Sequence, residues 1–199
     1  MTSRKNPYAR PDRFTRAAKD AGFPARSVFK LEEIDRRVRL LRGGMRVLDL
    51  GASPGSWAMY AAQKVGPSGH VLAIDLEPIG TALPPHAVFV QGDALSLTND
   101  DLARFAPYDV VLSDMAPRTT GNRVTDQARS FDLFMRALAV GAALGAPGSA
   151  FVGKIFMGGD LPAAREEIRR QYETERLIRP EGTRSVSTEI FAVGAKKRP

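Results

Sequence analysis

Cysteine is absent from all 199 residues. Its absence excludes disulfides, thiolate metal sites, iron–sulfur clusters and cysteine nucleophiles. Histidine is scarce: His70 and His86 are the two in the chain. Both fall at the starts of predicted strands, and no His/Asp/Glu cluster has metal-ligand spacing, so no metal is expected. No apolar run approaches the ~20 residues that span a bilayer. The opening segment, MTSRKNPYARPDRF, lacks an apolar stretch able to serve as a secretion signal. A cytoplasmic protein with no membrane partner is expected. Two phosphate-binding signatures are also missing, the G-x-G-x-x-G turn of dinucleotide binders and the lysine of a P-loop.

Hydrophobic residues at 43% and charged residues at 26% fit a globular chain with one full core. The net charge of +7 is distributed unevenly. Residues 1–46 carry 13 Lys/Arg against 5 Asp/Glu, a net of +8, and the remainder is close to neutral at −1. A basic front end on a neutral body suggests a polyanion-binding element, with Arg10 and Arg13 among the phosphate contacts. The chain is read as one domain, in which 1–46 form a basic helical extension and 47–199 the catalytic body.

Hydrophobic periodicity gives the order of elements. A short helix is expected over 12–22, capped by Asp12 and ended by Gly22. An amphipathic helix is expected over 27–41, with Ser27 as cap and Gly43–Gly44 as stop. Its apolar positions Val28, Leu31, Ile34, Val38 and Leu41 recur at three- and four-residue steps. Strands follow at 46–51, 70–75, 87–93, 108–114, 148–156, 174–180 and 187–196. Helices are expected near 56–64, 126–144 and 161–172. Such alternation implies an α/β, Rossmann-like fold: a seven-stranded, mostly parallel sheet with helices on both faces. The last two strands are joined by a short segment without a helix, so they are expected to pair antiparallel.

The first strand runs into DLGASPGSW, where Gly51 and Gly55 let the backbone turn sharply and approach a ligand. Ligands of open α/β sheets sit at the carboxyl ends of the strands. The second strand ends in Asp75, placed to accept from both hydroxyls of a ribose. The third ends in Asp93, placed to accept from an exocyclic amino group. Three successive strand-end acids, Asp49, Asp75 and Asp93, beside a glycine loop suggest a nucleoside-like ligand without a pyrophosphate. Trp57, the only tryptophan, suits a core position or a cofactor wall equally.

Asp114 ends the fourth strand in SDMAPRTTG. Lys154 interrupts the apolar fifth strand, AFVGKIF. Burying an ammonium is costly unless it is paired. The strand that delivers Asp114 is expected beside it, although a lysine that snorkels to the surface fits the pattern too. Glu189 sits in the apolar last strand, STEIFAV, and Lys30 in the apolar-periodic part of the basic helix.

Over nearly its whole length the chain resembles the FtsJ/RrmJ family of ribose 2′-O-methyltransferases. The matching stretches are ARSVFKLEEID, VLDLGASPGSW, AIDLEP, QGD, SDMAP, GKIF and STEIF. The resemblance implies a Lys–Asp–Lys–Glu catalytic tetrad on Lys30, Asp114, Lys154 and Glu189. It implies contacts to S-adenosyl-L-methionine at Gly55, Trp57, Asp75, Asp93 and Asp114. It also implies an RNA substrate, a uridine of the 23S rRNA A loop in the 50S subunit; a monomer is expected. In the family's terms Ser56 replaces a common glycine, and Arg118 stands where some members carry asparagine. Competing readings are a nicotinamide-dependent oxidoreductase, a non-catalytic RNA-binding assembly factor, and a methyltransferase of tRNA or of an mRNA cap.

Overall fold

The computed structural model describes residues 13–184 and 187–199. Seven strands make one sheet: β1 (Arg46–Leu50), β2 (His70–Asp75), β3 (Ala87–Gln91), β4 (Tyr108–Ser113), β5 (Gly145–Phe156), β6 (Tyr172–Ile178) and β7 (Glu189–Lys197). Among the described residues the helices are α1 (Arg13–Asp20), α2 (Val28–Val38), α3 (Ser56–Val65), α4 (Asn99–Leu102), α5 (Arg123–Leu144) and α6 (Leu161–Gln171).

The strand order is β3-β2-β1-β4-β5-β7-β6. The chain winds outward from β1 to β3, then returns to β4 on β1's other side. This reversal opens a crevice at the carboxyl ends of β1 and β4. All pairings are parallel except those of β7, which runs antiparallel to both β5 and β6. The expected pairing of the last two strands is therefore present, with β7 inserted against β5 as well. That inversion brings the start of β7 to the end of β5, where Glu189 pairs with Phe156.

β1 and β2 are buried on both faces, as their apolar runs require. Val47, Ala73, Leu112, Val152 and Phe191 face one core, under Val28, Leu31 and Ile34 of α2 and Ala58 and Ala61 of α3. Leu48, Ile74, Val111 and Phe151 face the other, under Phe134 and Leu138 of α5 and Ile168 of α6. Side chains alternate along a strand. Asp49, Asp75, Lys154 and Glu189 therefore all belong to the first face, and Asp114 continues the alternation of Leu112.

Several boundaries differ from expectation, each for a local reason. Asp12 and Arg10 lie outside the described residues. The Ser27 side chain makes no cap hydrogen bond on α2. The helix stops at Val38, ahead of Leu41 and of Gly43–Gly44, because Arg39 adopts a left-handed conformation there. The Asp35 carboxylate secures the reversal, accepting from the Leu41 amide at 2.8 Å and the Tyr60 hydroxyl at 2.9 Å. α5 begins three residues early because Asn122 Oδ1 accepts from the amides of Val124 and Thr125. The four-residue α4 is an addition, nucleated by a Thr98–Asp101 capping box. Among the described residues no helix is long and apolar enough to cross a membrane.

Candidate active site

The crevice is floored by the loop after β1. Gly51 sits at φ +82°, and a β-carbon there would lie 2.7 Å from the Met115 amide nitrogen. Gly55, at φ +109°, would place one 2.7 Å from Thr81 Cγ2. Neither position admits a side chain without movement. Asp75 ties this loop to β2, its carboxylate accepting from Ser53 N at 2.8 Å and Glu77 N at 2.9 Å. A carboxylate offers about four lone-pair sites, so two remain for a ligand.

Gly51, Asp75 and Asp93 line one cavity of about 180 Å³, together with Leu76, Leu95 and Met115. Leu76 and Leu95 are 57% and 53% exposed. Two exposed leucines beside strand-end acids make apolar walls that a flat heterocycle would cover. Asp93 accepts from Leu95 N through Oδ1, which fixes its carboxyl at the cavity rim. The set suits a nucleoside: acceptors for a diol and an amino group, and apolar surface for a ring.

The four tetrad residues form two ion pairs. Lys154 Nζ donates to the Asp114 carbonyl oxygen at 2.6 Å and to Asp114 Oδ1 at 2.8 Å. The lysine is 7% exposed, so its charge is paired rather than snorkelled to solvent. Lys30 Nζ lies 2.5 Å from Glu189 Oε1. Phe191 joins the two pairs. It is the cross-strand neighbour of Lys154, and its ring lies 5.9 Å from Lys30 Nζ.

The first turn of α3 positions this assembly. Trp57 is buried, packs at a tilt against Phe191 with ring centroids 5.5 Å apart, and donates from Nε1 to the Ser27 carbonyl at 2.8 Å. The ring packs in the core, and Trp57 is not among the residues lining the cavity with Asp75 and Asp93. Ser56 does more than replace a glycine. Its hydroxyl accepts from Ala25 N at 2.8 Å and donates to Ala25 O at 3.1 Å. Ser56 and Trp57 thus clamp the segment that launches α2, and so place Lys30. Arg118 is 95% exposed and meets Glu77 only at 3.6 Å, a contact of little energetic weight.

Asp49 was read as one of three strand-end acids, yet its setting differs from the other two. It is fully buried, and neither carboxyl oxygen has a hydrogen-bond partner. Burial, and after it the nearby Asp114 and Asp75 carboxylates, push its pKa well above the ordinary 3.8.

Comparison with known proteins decides the family. Residues 23–197 match the family described as FtsJ-like methyltransferase. The chain belongs to that family. This FtsJ-like methyltransferase is 68% identical over 194 residues to a protein of Sorangium cellulosum named Ribosomal RNA large subunit methyltransferase E, covering 98% of this chain and 92% of the relative. A Bdellovibrio bacteriovorus protein of the same name is 44% identical, with 96% of this chain and 99% of the relative covered. Among solved structures, one from Plasmodium falciparum described as a ribosomal RNA methyltransferase superposes with a TM-score of 0.76 at 20% identity. It covers 88% of this chain and 98% of its own, and at that identity it speaks for the fold of the FtsJ-like chain alone.

Proposed function

We propose that this chain transfers the methyl group of S-adenosyl-L-methionine to a ribose 2′-hydroxyl of RNA, and that the substrate is a uridine of the 23S rRNA A loop in the large ribosomal subunit. The observation that carries the reading is the buried Lys154, held by two hydrogen bonds to Asp114, the residue before the Met115 that lines the cavity with Asp75 and Asp93. The names of the curated relatives support the ribosomal substrate.

The residues fit the cofactor. Asp75 would hold its ribose hydroxyls, Asp93 its adenine amino group, and Leu76 and Leu95 the faces of its ring. The first amides of α3 have no intrahelical partner and would receive its carboxylate. When bound, the cofactor supplies a methyl carbon already activated by a positive sulfur.

The chain's own work is to align a ribose oxygen and manage its proton. Lys154 offers three tetrahedral positions, two of them engaged with Asp114. As an ammonium it presents its third N–H to the ribose oxygen. As a neutral amine it keeps both bonds to Asp114 and presents a lone pair that can take the hydroxyl proton. Asp114 orients the nitrogen in both states. Lys30, paired with Glu189 and lying over the Phe191 ring, completes the polar group on this sheet face. Alignment of this kind supplies several kcal/mol of barrier reduction.

Mapping 2′-O-methylation across total RNA from cells with and without the gene tests the substrate. Loss of one 23S rRNA mark on deletion is expected, and an unchanged 23S pattern would refute the assignment. Asp75→Ala is expected to weaken S-adenosyl-L-methionine binding by roughly ten- to a hundredfold, from a lost charged hydrogen bond of about 1.5–3 kcal/mol. The released Ser53 amide adds to that loss. Calorimetric affinity equal to wild type would remove Asp75 from the site.

A further inference from the structure

On the same sheet face as the tetrad, at its opposite end, a second cavity of about 300 Å³ lies between the end of α2 and the β6–β7 edge. Arg37, Arg39, Arg176 and Lys196 line it, with Val193 and Ala195 as its floor. All four cations are exposed. Two carboxylates approach them, Glu33 at Arg37 and Glu173 at Lys196. Among the described residues no carboxylate pairs with Arg39 or Arg176.

A second, independent observation falls on the same spot. Among the described residues, the non-glycine positions with positive φ are Arg39 at 54° and Lys196 at 58°. A helix end of this kind ordinarily takes glycine or asparagine, which adopt the left-handed region cheaply. Here two long cations occupy strained backbone, from two different elements, and both reach into one groove. At Arg39 this conformation also ends α2, and at both positions glycine would adopt it at less cost than the cation that stands there.

We propose that this groove binds the sugar–phosphate backbone of the substrate RNA, a few nucleotides from the one that is methylated. The inference rests on the RNA reading above. From Lys30 to Arg39 is nine residues of α2, about 13 Å at the helical rise. From Glu189 to Ala195 is six residues of β7, about 20 Å at the strand rise. The groove is thus too far from the tetrad to hold the target ribose, and near enough to hold phosphates flanking it. It joins Arg37 and Arg39 of the basic front end to Arg176 and Lys196, which lie in the otherwise neutral body. The surface that grips RNA therefore includes the sheet edge as well as the front end.

The test exploits the strain. The double variant Arg39→Gly/Lys196→Gly removes both cations and leaves a residue that accepts the backbone freely. Binding to a transcript carrying the A-loop helix is measured across a salt series, alongside methylation kinetics on that transcript and on 50S particles. Loss of two phosphate contacts is expected to flatten the slope of log affinity against log salt by about 1.4–1.8. KM for RNA should rise roughly tenfold, with kcat and cofactor affinity unchanged and the melting temperature unchanged or raised. Arg176→Gln alone should flatten the slope by about 0.7–0.9. A salt slope and KM equal to wild type overturn the groove. A lower melting temperature with falling kcat and unchanged KM also overturns it, assigning these residues to folding. If wild type neither binds nor methylates transcript or particle, the RNA reading fails first and the groove with it.

Discussion

Replacement of Lys154 by alanine is expected to lower single-turnover methyl transfer ~10²–10⁴-fold, the scale of positioned acid–base help, while S-adenosyl-L-methionine still binds. The lysine reaches the crevice from within an apolar strand and spends two of its three positions on Asp114. A lysine that served only the fold would behave otherwise. Its removal would delete a buried charge and leave turnover near normal. Lys154→Arg separates the remaining roles. A guanidinium stays protonated at any accessible pH and takes no proton, but it can donate to an oxygen. Turnover in the arginine variant as low as in alanine supports proton abstraction; turnover near wild type assigns the lysine to electrostatic positioning. Cofactor affinity measured in parallel by calorimetry keeps binding and chemistry apart.

The second large effect concerns stability. Asp49→Asn is expected to remove a pH dependence that wild type carries. The buried, unpartnered carboxyl of Asp49 holds its proton in the folded chain well above the ordinary 3.8, because burial and then Asp114 and Asp75 disfavour its charge. In the unfolded chain it ionises near that ordinary value. Between the two values the folded state binds one proton more than the unfolded state, so stability falls as pH rises, by ~1.4 kcal/mol per pH unit. The full contribution is present below about pH 4 and is lost as pH climbs toward the folded value. Asparagine has the same shape and does not titrate. The melting temperature of the variant should therefore gain on wild type by about 3–5 °C per pH unit above pH 4. Parallel melting curves for the two proteins between pH 4 and pH 8 would show that Asp49 is ionised in the fold.

Much of this site was legible before the fold because a parallel sheet gathers all its strand ends at one edge. Asp75, Asp93 and Asp114 each close an apolar run, and that position alone delivered them to the crevice. Lys154 stood out as a charge in a run that had to be buried. What escaped were contacts between residues far apart in sequence. Asp49 reads like its neighbouring acids, and only the fold shows it fully buried with neither carboxyl oxygen partnered. Ser56 reads as a tolerated glycine replacement, since its partner Ala25 sits in another element. The end of α2 was misplaced because Gly43–Gly44 is the stronger local stop signal, whereas the actual stop rests on Asp35, which catches the nearby Leu41 amide and, from α3, the Tyr60 hydroxyl. Phe191, which joins the two ion pairs, carries no chemistry that a sequence would flag.

The insertion of β7 between β5 and β6 sets a timetable for the newborn chain. Synthesis delivers β5 and then β6, the two strands that flank a gap, before the strand that fills it. Until residues 189–197 emerge, β5 ends the ordered sheet with an open edge, and such edges invite pairing with other chains. Glu189 and Phe191 arrive in the same final segment, so Lys30 has neither its counter-ion nor its aromatic neighbour before then. Protection from aggregation and completion of the tetrad thus fall due together, and a chain cut short at its last strand would forfeit both.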